Sequence, residues 1–159
     1  MSIEKVREFF QKNGMDNRIQ EFAVSSATVE LAAQALSVEA CRIAKTLSFL
    51  IGDRCILIVT AGDAKIDNAK FKAAFGCKAK MLAHEDVPAR TGHAVGGVCP
   101  FAVREGVQIY LDVSLKRFET VFPAAGSSNS AIEMRIGELE RYSAYTGWVD
   151  VCKGWQDPV

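Results

Sequence analysis

Apolar residues recur at Ile3, Val6 and Phe10 with charged residues between them, the spacing of an amphipathic helix, and Gly14 supplies its stop. Thr28 has the hydroxyl of an N-cap and Glu30 falls in the first turn that would follow. A second helix is therefore predicted, with Val29, Ala32, Ala33 and Leu36 on its apolar side. A helical turn over 39–44 leads into a strand over 46–51. Gly52-Asp53 is a two-residue turn into a strand over 54–60, the clearest hairpin signal in the chain.

Asp67 reads as the cap of a helix that ends at Gly76, followed by a short strand near 80–83. A helical turn over 84–90 comes next, its regularity limited by Pro88. The run Gly92-His93-Ala94-Val95-Gly96-Gly97-Val98-Cys99-Pro100 is a glycine-rich loop, and a polar loop follows at 126–130. Strands are predicted over 107–113, at Val121-Phe122, over 131–136 and over 148–152, with a helix over 138–143. Helices and strands are mixed, a hairpin comes early, and strict βαβ alternation is absent. The fold class predicted is α+β, with a mixed, strongly antiparallel sheet.

Composition narrows this picture. The 159 residues suit one domain over 1–159, large enough to bury about 70% of its unfolded surface without staples. Lys plus Arg is 19 and Asp plus Glu is 19, a formal charge of zero that excludes a polybasic protein holding nucleic acid by bulk charge. A small basic excess does lie between Asp63 and Arg90, where six Lys or Arg face four acids. No apolar h-region follows the N-terminal residues, and no stretch approaches the length of a membrane span. The five cysteines form no C-x-x-C pair and are odd in number, so reduced thiols in a cytoplasmic protein are expected. With two histidines and scattered cysteines, neither a metal nor another cofactor is expected.

Three segments carry candidate chemistry. Lys45 sits where a helical turn meets a strand, and an ammonium there can bind a phosphate or polarise a carbonyl, or can simply be solvated. Gly96 and Gly97 allow close approach of a ligand and offer N–H groups, while Pro100 stiffens the far end of the loop; a plain tight turn fits the same residues. Cys99, with His93 and Asp112, raises a Cys-His-Asp nucleophile against the alternative of a buried thiol. Trp148, Trp155, Tyr142 and Tyr145 are expected to pack the C-terminal elements.

Several of these segments together resemble the YbaK family of aminoacyl-tRNA editing domains. The match is carried by Thr28-Val29-Glu30-Leu31-Ala32-Ala33, Arg42-Ile43-Ala44-Lys45-Thr46-Leu47-Ser48-Phe49 and Gly62-Asp63-Ala64-Lys65-Ile66-Asp67. It continues through the glycine loop to Phe101, then Tyr110-Leu111-Asp112 and Phe122-Pro123-Ala124-Ala125-Gly126-Ser127, so that it covers nearly the whole chain. The resemblance implies a twisted, partly barrel-like sheet flanked by helices. It also implies a stand-alone deacylase that hydrolyses the ester of a mischarged tRNA, with cysteine or alanine on prolyl tRNA as leading substrates.

Implied partners are the tRNA acceptor end and prolyl-tRNA synthetase. Implied catalytic residues are Lys45, Gly96 and Gly97; Thr46, His93, Pro100, Asp112, Ser128 and Asn129 would contact substrate. Over 22–27 the chain departs from some relatives, and Phe22 is the residue there that could stand for their aromatic pocket wall. In relatives acting on cysteinyl-tRNA the substrate's own thiol is thought to attack the ester, which would need no protein nucleophile. A non-catalytic module binding an aminoacyl-adenosine or a synthetase is the alternative.

Overall fold

A computed structural model describes residues 2–156; Met1 and 157–159, the ends of the unit expected over 1–159, lie outside the described residues. The helices are α1 (Ser2–Gln11), α2 (Val29–Leu36), α3 (Asn68–Phe75), α4 (Val87–Thr91) and α5 (Ile136–Ser143). The strands are β1 (Ile19–Glu21), β2 (Ile43–Ile51), β3 (Arg54–Ala61), β4 (Lys65–Ile66), β5 (Gln108–Asp112), β6 (Thr120–Pro123), β7 (Ser130–Ile132), β8 (Met134–Arg135), β9 (Gly147–Val149) and β10 (Cys152–Lys153). Six of them form a curled half-barrel in the order β8-β6-β2-β3-β5-β9, with β1-β7 and β10-β4 as two small ribbons. The architecture is mixed α+β, as the sequence leads one to expect. The main sheet, however, is not strongly antiparallel: β2–β6, β3–β5 and β5–β9 pair parallel, and only β2–β3 and β6–β8 pair antiparallel.

Local chemistry explains the elements that position the site. The Thr28 hydroxyl accepts the Leu31 N–H at 3.2 Å and the Asp67 carboxylate accepts the Lys70 N–H at 3.1 Å, so both helices begin at their expected caps. Gly52, at φ +60°, turns β2 back onto β3 in the register Ile51 opposite Arg54. Residues Cys55 to Ala61 of β3 are buried without a break, because this strand is central to the sheet. In the core, Phe10 of α1 meets Phe101 and Tyr142 edge-on at 4.8 and 5.7 Å, and Phe49 of β2 meets Phe71 of α3 at 5.1 Å.

Several boundaries differ from the sequence reading. The helical turn shrinks to a 3₁₀ turn at Ala40–Arg42, and β2 starts at Ile43, so Lys45 is the third residue of a strand and not at its mouth. The strand expected over 80–83 is reduced to one bridge, Phe49 opposite Met81. Pro88 lies in the first turn of α4, where no intrahelical donor is required, and α4 is regular. The strand expected over 131–136 breaks because Ile132 pairs with β1 while Met134 pairs with β6, and Ile136 already opens α5. That expected over 148–152 splits into β9 and β10. Between them the Val151 N–H donates to Asp112 Oδ1, and the Val151 carbonyl accepts the Asp67 N–H.

One feature of the sheet creates the site. Beside β2, strand β6 pairs only at Ile43 and Ala44. Further along, Leu82 N–H donates to the Ser48 carbonyl at 3.2 Å and Leu50 N–H to the Lys80 carbonyl at 2.8 Å. Between these two covers, the edge of β2 at 45–47 has no strand partner among the described residues.

Candidate active site

A cavity of about 300 Å³ opens at that uncovered edge. Its walls are the start of α2 (Thr28, Val29, Ala32), β2 from Ile43 to Ser48, Met81, Leu82 and His84 along the covering strap, the glycine loop at Val95, Gly96 and Val98, and Phe122, Ala124, Ser130 and Ala131. The lining is predominantly apolar, with Lys45 as its lysine and a few hydroxyls beside it, the usual make-up of a small-molecule site. Four large apolar side chains of the described residues are well exposed: Val24, Leu31, Met81 and Val95. Met81 and Val95 themselves line the cavity, while Val24 and Leu31 stand within two residues of its wall.

Lys45 Nζ donates to the Ala64 carbonyl at 2.5 Å and reaches the Gly62 carbonyl at 3.5 Å. Burial lowers its pKa from the usual lysine range, opposed by the Asp63 and Glu30 carboxylates. Cys152 is pushed up to about 12 by burial, with Asp112 adding to the effect, and so stays a thiol. Thr46 lines the same cavity, and its buried Oγ1 has no hydrogen-bond partner among the described residues.

The glycine loop is a turn closed by the Gly97 N–H on the Ala94 carbonyl at 3.0 Å, with Gly96 at its third position and φ +89°, where a type II turn requires glycine. This corrects one expectation. The Gly97 N–H is already engaged and faces no ligand; Gly97 serves instead as a spacer, because a Cβ there would lie 2.7 Å from the Ser127 backbone. The N–H groups of Gly96 and Val98, both in the cavity wall, have no acceptor among the described residues. Val98 escaped the sequence reading, since nothing in a valine side chain signals a free backbone donor.

The remaining expected contacts lie elsewhere. His93 is buried outside the cavity wall, its Nε2 2.7 Å from the Phe101 carbonyl, so it cannot orient water or a ribose there. Pro100 is buried beyond the lining. Asp112 is fully buried and caps two backbone N–H groups, Ser114 and Val151, each at 2.9 Å. The Ser128 carbonyl accepts the Ser26 N–H at 2.6 Å, and Asn129 Nδ2 donates to the Phe22 carbonyl at 3.0 Å; both residues fasten the segment ahead of α2 and neither lines the cavity. Phe22 is not in the wall either. Ser26, Ser48, His84 and Ser130 do line it and were not singled out by sequence. Among the described residues no group of three or more His, Cys, Asp or Glu could hold a metal ion, and no helix is long and apolar enough to cross a membrane.

Residues 24–142 match the family model of the aminoacyl-tRNA editing domain. The chain belongs to this family. It is 54% identical over 157 residues to the uncharacterised protein YwhH of Bacillus subtilis (strain 168), covering 98% of this chain and all of that one. It is 30% identical over 119 residues, 72% of each chain, to a protein of Enterococcus faecalis named as a candidate Cys-tRNA(Pro)/Cys-tRNA(Cys) deacylase, EbsC. A solved structure described as a candidate trans-editing enzyme for prolyl tRNA synthetase superposes with a TM-score of 0.85 at 26% identity, over 96% of this chain and 98% of that one. Against the proline–tRNA ligase of Bacillus velezensis the identity is 25%, and the match spans only 22% of the ligase.

Proposed function

We propose that this protein is a trans-editing aminoacyl-tRNA deacylase acting on a small amino acid, cysteine or alanine, misattached to prolyl tRNA. The observation that carries the reading is the pairing, in one mostly apolar cavity of an editing-family fold, of the Lys45 ammonium with the free N–H groups of Gly96 and Val98.

The chemistry asks for little more. An aminoacyl ester is an activated acyl group. Water adds to its carbonyl carbon, the oxygen becomes an oxyanion, and the carbon–oxygen bond to the ribose breaks, giving amino acid and a free ribose hydroxyl. Two backbone N–H groups and an ammonium are suited to that developing charge, and each such donor is worth about 10²–10³ in rate. Lys45 keeps one further N–H beyond those on the Ala64 and Gly62 carbonyls, enough to meet the ester carbonyl or the terminal phosphate. Thr46 Oγ1, without a partner among the described residues, is suited to the α-amino group or the bound water.

The tRNA enters over the strap before Met81. Lys78 and Lys80 are exposed, alternate with the half-buried Cys77 and Ala79, and form no ion pair among the described residues. A synthetase partner agrees with the apolar rim of Val24, Leu31, Met81 and Val95. The test is release of labelled amino acid from prolyl tRNA charged with alanine, cysteine, serine or proline, with catalytic amounts of the protein. Turnover of the first two and sparing of proline support the reading. Saturable binding without turnover of any of them overturns it in favour of a binding module.

A further inference from the structure

Among the described residues Lys45 forms no ion pair; it is held by backbone carbonyls. Those carbonyls belong to Gly62 and Ala64, in the turn between β3 and β4. Whatever fixes this turn therefore fixes the ammonium. Gly62 is wedged so closely that a Cβ would fall 2.0 Å from the Ala40 carbonyl oxygen, which holds one side of the turn.

The other side is held from the 3₁₀ turn Val113–Arg117. Arg117 makes a two-pronged pair with Asp63, Nη2 to Oδ1 at 2.6 Å and Nη1 to Oδ2 at 2.9 Å. Its Nε donates to the Ser114 carbonyl at 2.9 Å, and its guanidinium lies 4.7 Å and 5.0 Å from the ring centroids of Phe118 and Trp155. Ser114 Oγ in turn accepts the Ala61 N–H at 3.1 Å, just ahead of the turn. An isolated exposed ion pair contributes little to stability, but a forked arginine stacked between two rings is preorganised and holds geometry. The arrangement ties a residue outside the cavity, through two carbonyls, to the ammonium of the lysine in its wall.

We propose that Asp63 and Arg117 are positioning residues for Lys45: their pair sets the turn whose Gly62 and Ala64 carbonyls aim the ammonium into the cavity. Its catalytic consequence rests on the deacylase reading above, whereas its structural content does not.

Lysine labelled with ¹⁵N in the full chain provides the test. The Lys45 ammonium signal, assigned by its loss in Lys45→Arg, exchanges slowly with water while bonded to Ala64. In Asp63→Asn and in Arg117→Ala its exchange accelerates about tenfold or more, as expected when a hydrogen bond to a charged group is lost. In the same variants kcat for deacylation falls about tenfold with KM within about twofold, and the double variant is no worse than the worse single one, because both remove one device. Arg117→Lys, which keeps the charge and loses the fork, falls between, and serves in place of Arg117→Ala should that variant not fold. Unchanged exchange and kcat in variants that melt as the wild type does, or effects that add, overturn the proposal. A wild-type chain that cleaves no mischarged tRNA would defeat the deacylase reading alone, since the exchange measurement still decides the cradle.

Discussion

The thiol of Cys99 lies 3.6 Å from His93 Nε2, and that same nitrogen lies 2.7 Å from the Phe101 carbonyl oxygen. A carbonyl oxygen only accepts, so Nε2 carries the proton and cannot take one from the thiol. Cys99 is wholly buried and its pKa is pushed up to about 12. Asp112, the third member of the nucleophile considered from sequence, is spent on Ser114 and Val151. Cys99→Ser is expected to leave kcat/KM for ester cleavage within about threefold. A loss of a hundredfold in a folded variant would reinstate the thiol.

His93 also makes stability depend on pH. Burial lowers its pKa below the usual 6.5, opposed by the bond to Phe101. The unfolded chain then binds a proton more readily than the folded one, so the stability due to the neutral ring is full above about pH 6.5 and is lost as pH falls toward the lowered value. His93→Gln, which keeps an N–H donor for Phe101, is expected to flatten that part of the acid limb in denaturant titrations at several pH values. An unaltered acid limb would place the proton uptake elsewhere.

Gly97→Ala is expected to disable the loop. Its Cβ would meet the Ser127 backbone at 2.7 Å, and backbone atoms cannot step aside as the end of a side chain can. The loop must move, carrying the Val98 N–H with it, at a cost of about 1–3 kcal/mol for such overpacking. Thermal melting and kcat/KM should both fall, the latter by about a hundredfold, the loss attached to one oxyanion donor. Full activity in Gly97→Ala would show that the Val98 donor has no part.

Lys78 and Lys80 are expected to contact phosphates and nothing else. Removing both should reduce the slope of log affinity against log salt for uncharged tRNA by about 1.4, at roughly 0.7 per contact on a single strand. Filter binding across a salt series reads this directly. An unchanged slope would move the tRNA path off this strap.

The parts of the fold legible in the sequence are those set by near neighbours. Thr28 and Asp67 cap their helices by bonding to N–H groups three residues on, and Gly52 turns the hairpin by itself. Lys45 and the glycine loop stand out by residue type and again through the family pattern, and both have residues in the cavity wall. Roles that depend on distant backbone were hidden. Asp112 looks like a pocket acid but is captured by Val151, which arrives from the far end of the chain. Gly97 looks like a donor but is consumed by the turn it closes. In the run from Ser127 to Ser130 every residue is polar, and only the pairing of β7 with β1 decides that Ser130, not Ser128 or Asn129, faces the cavity.

The central claim is that the Lys45 ammonium stabilises charge during ester cleavage. Single-turnover deacylation of Cys- and Ala-tRNA(Pro) by the wild type and by Lys45→Ala tests it most directly, with thermal melting to establish folding. The account predicts rapid release by the wild type and a loss of at least about a hundredfold in the variant, with the alkaline limb of the wild-type profile lying below the usual lysine pKa of 10.5. Equal rates in the two proteins would contradict it.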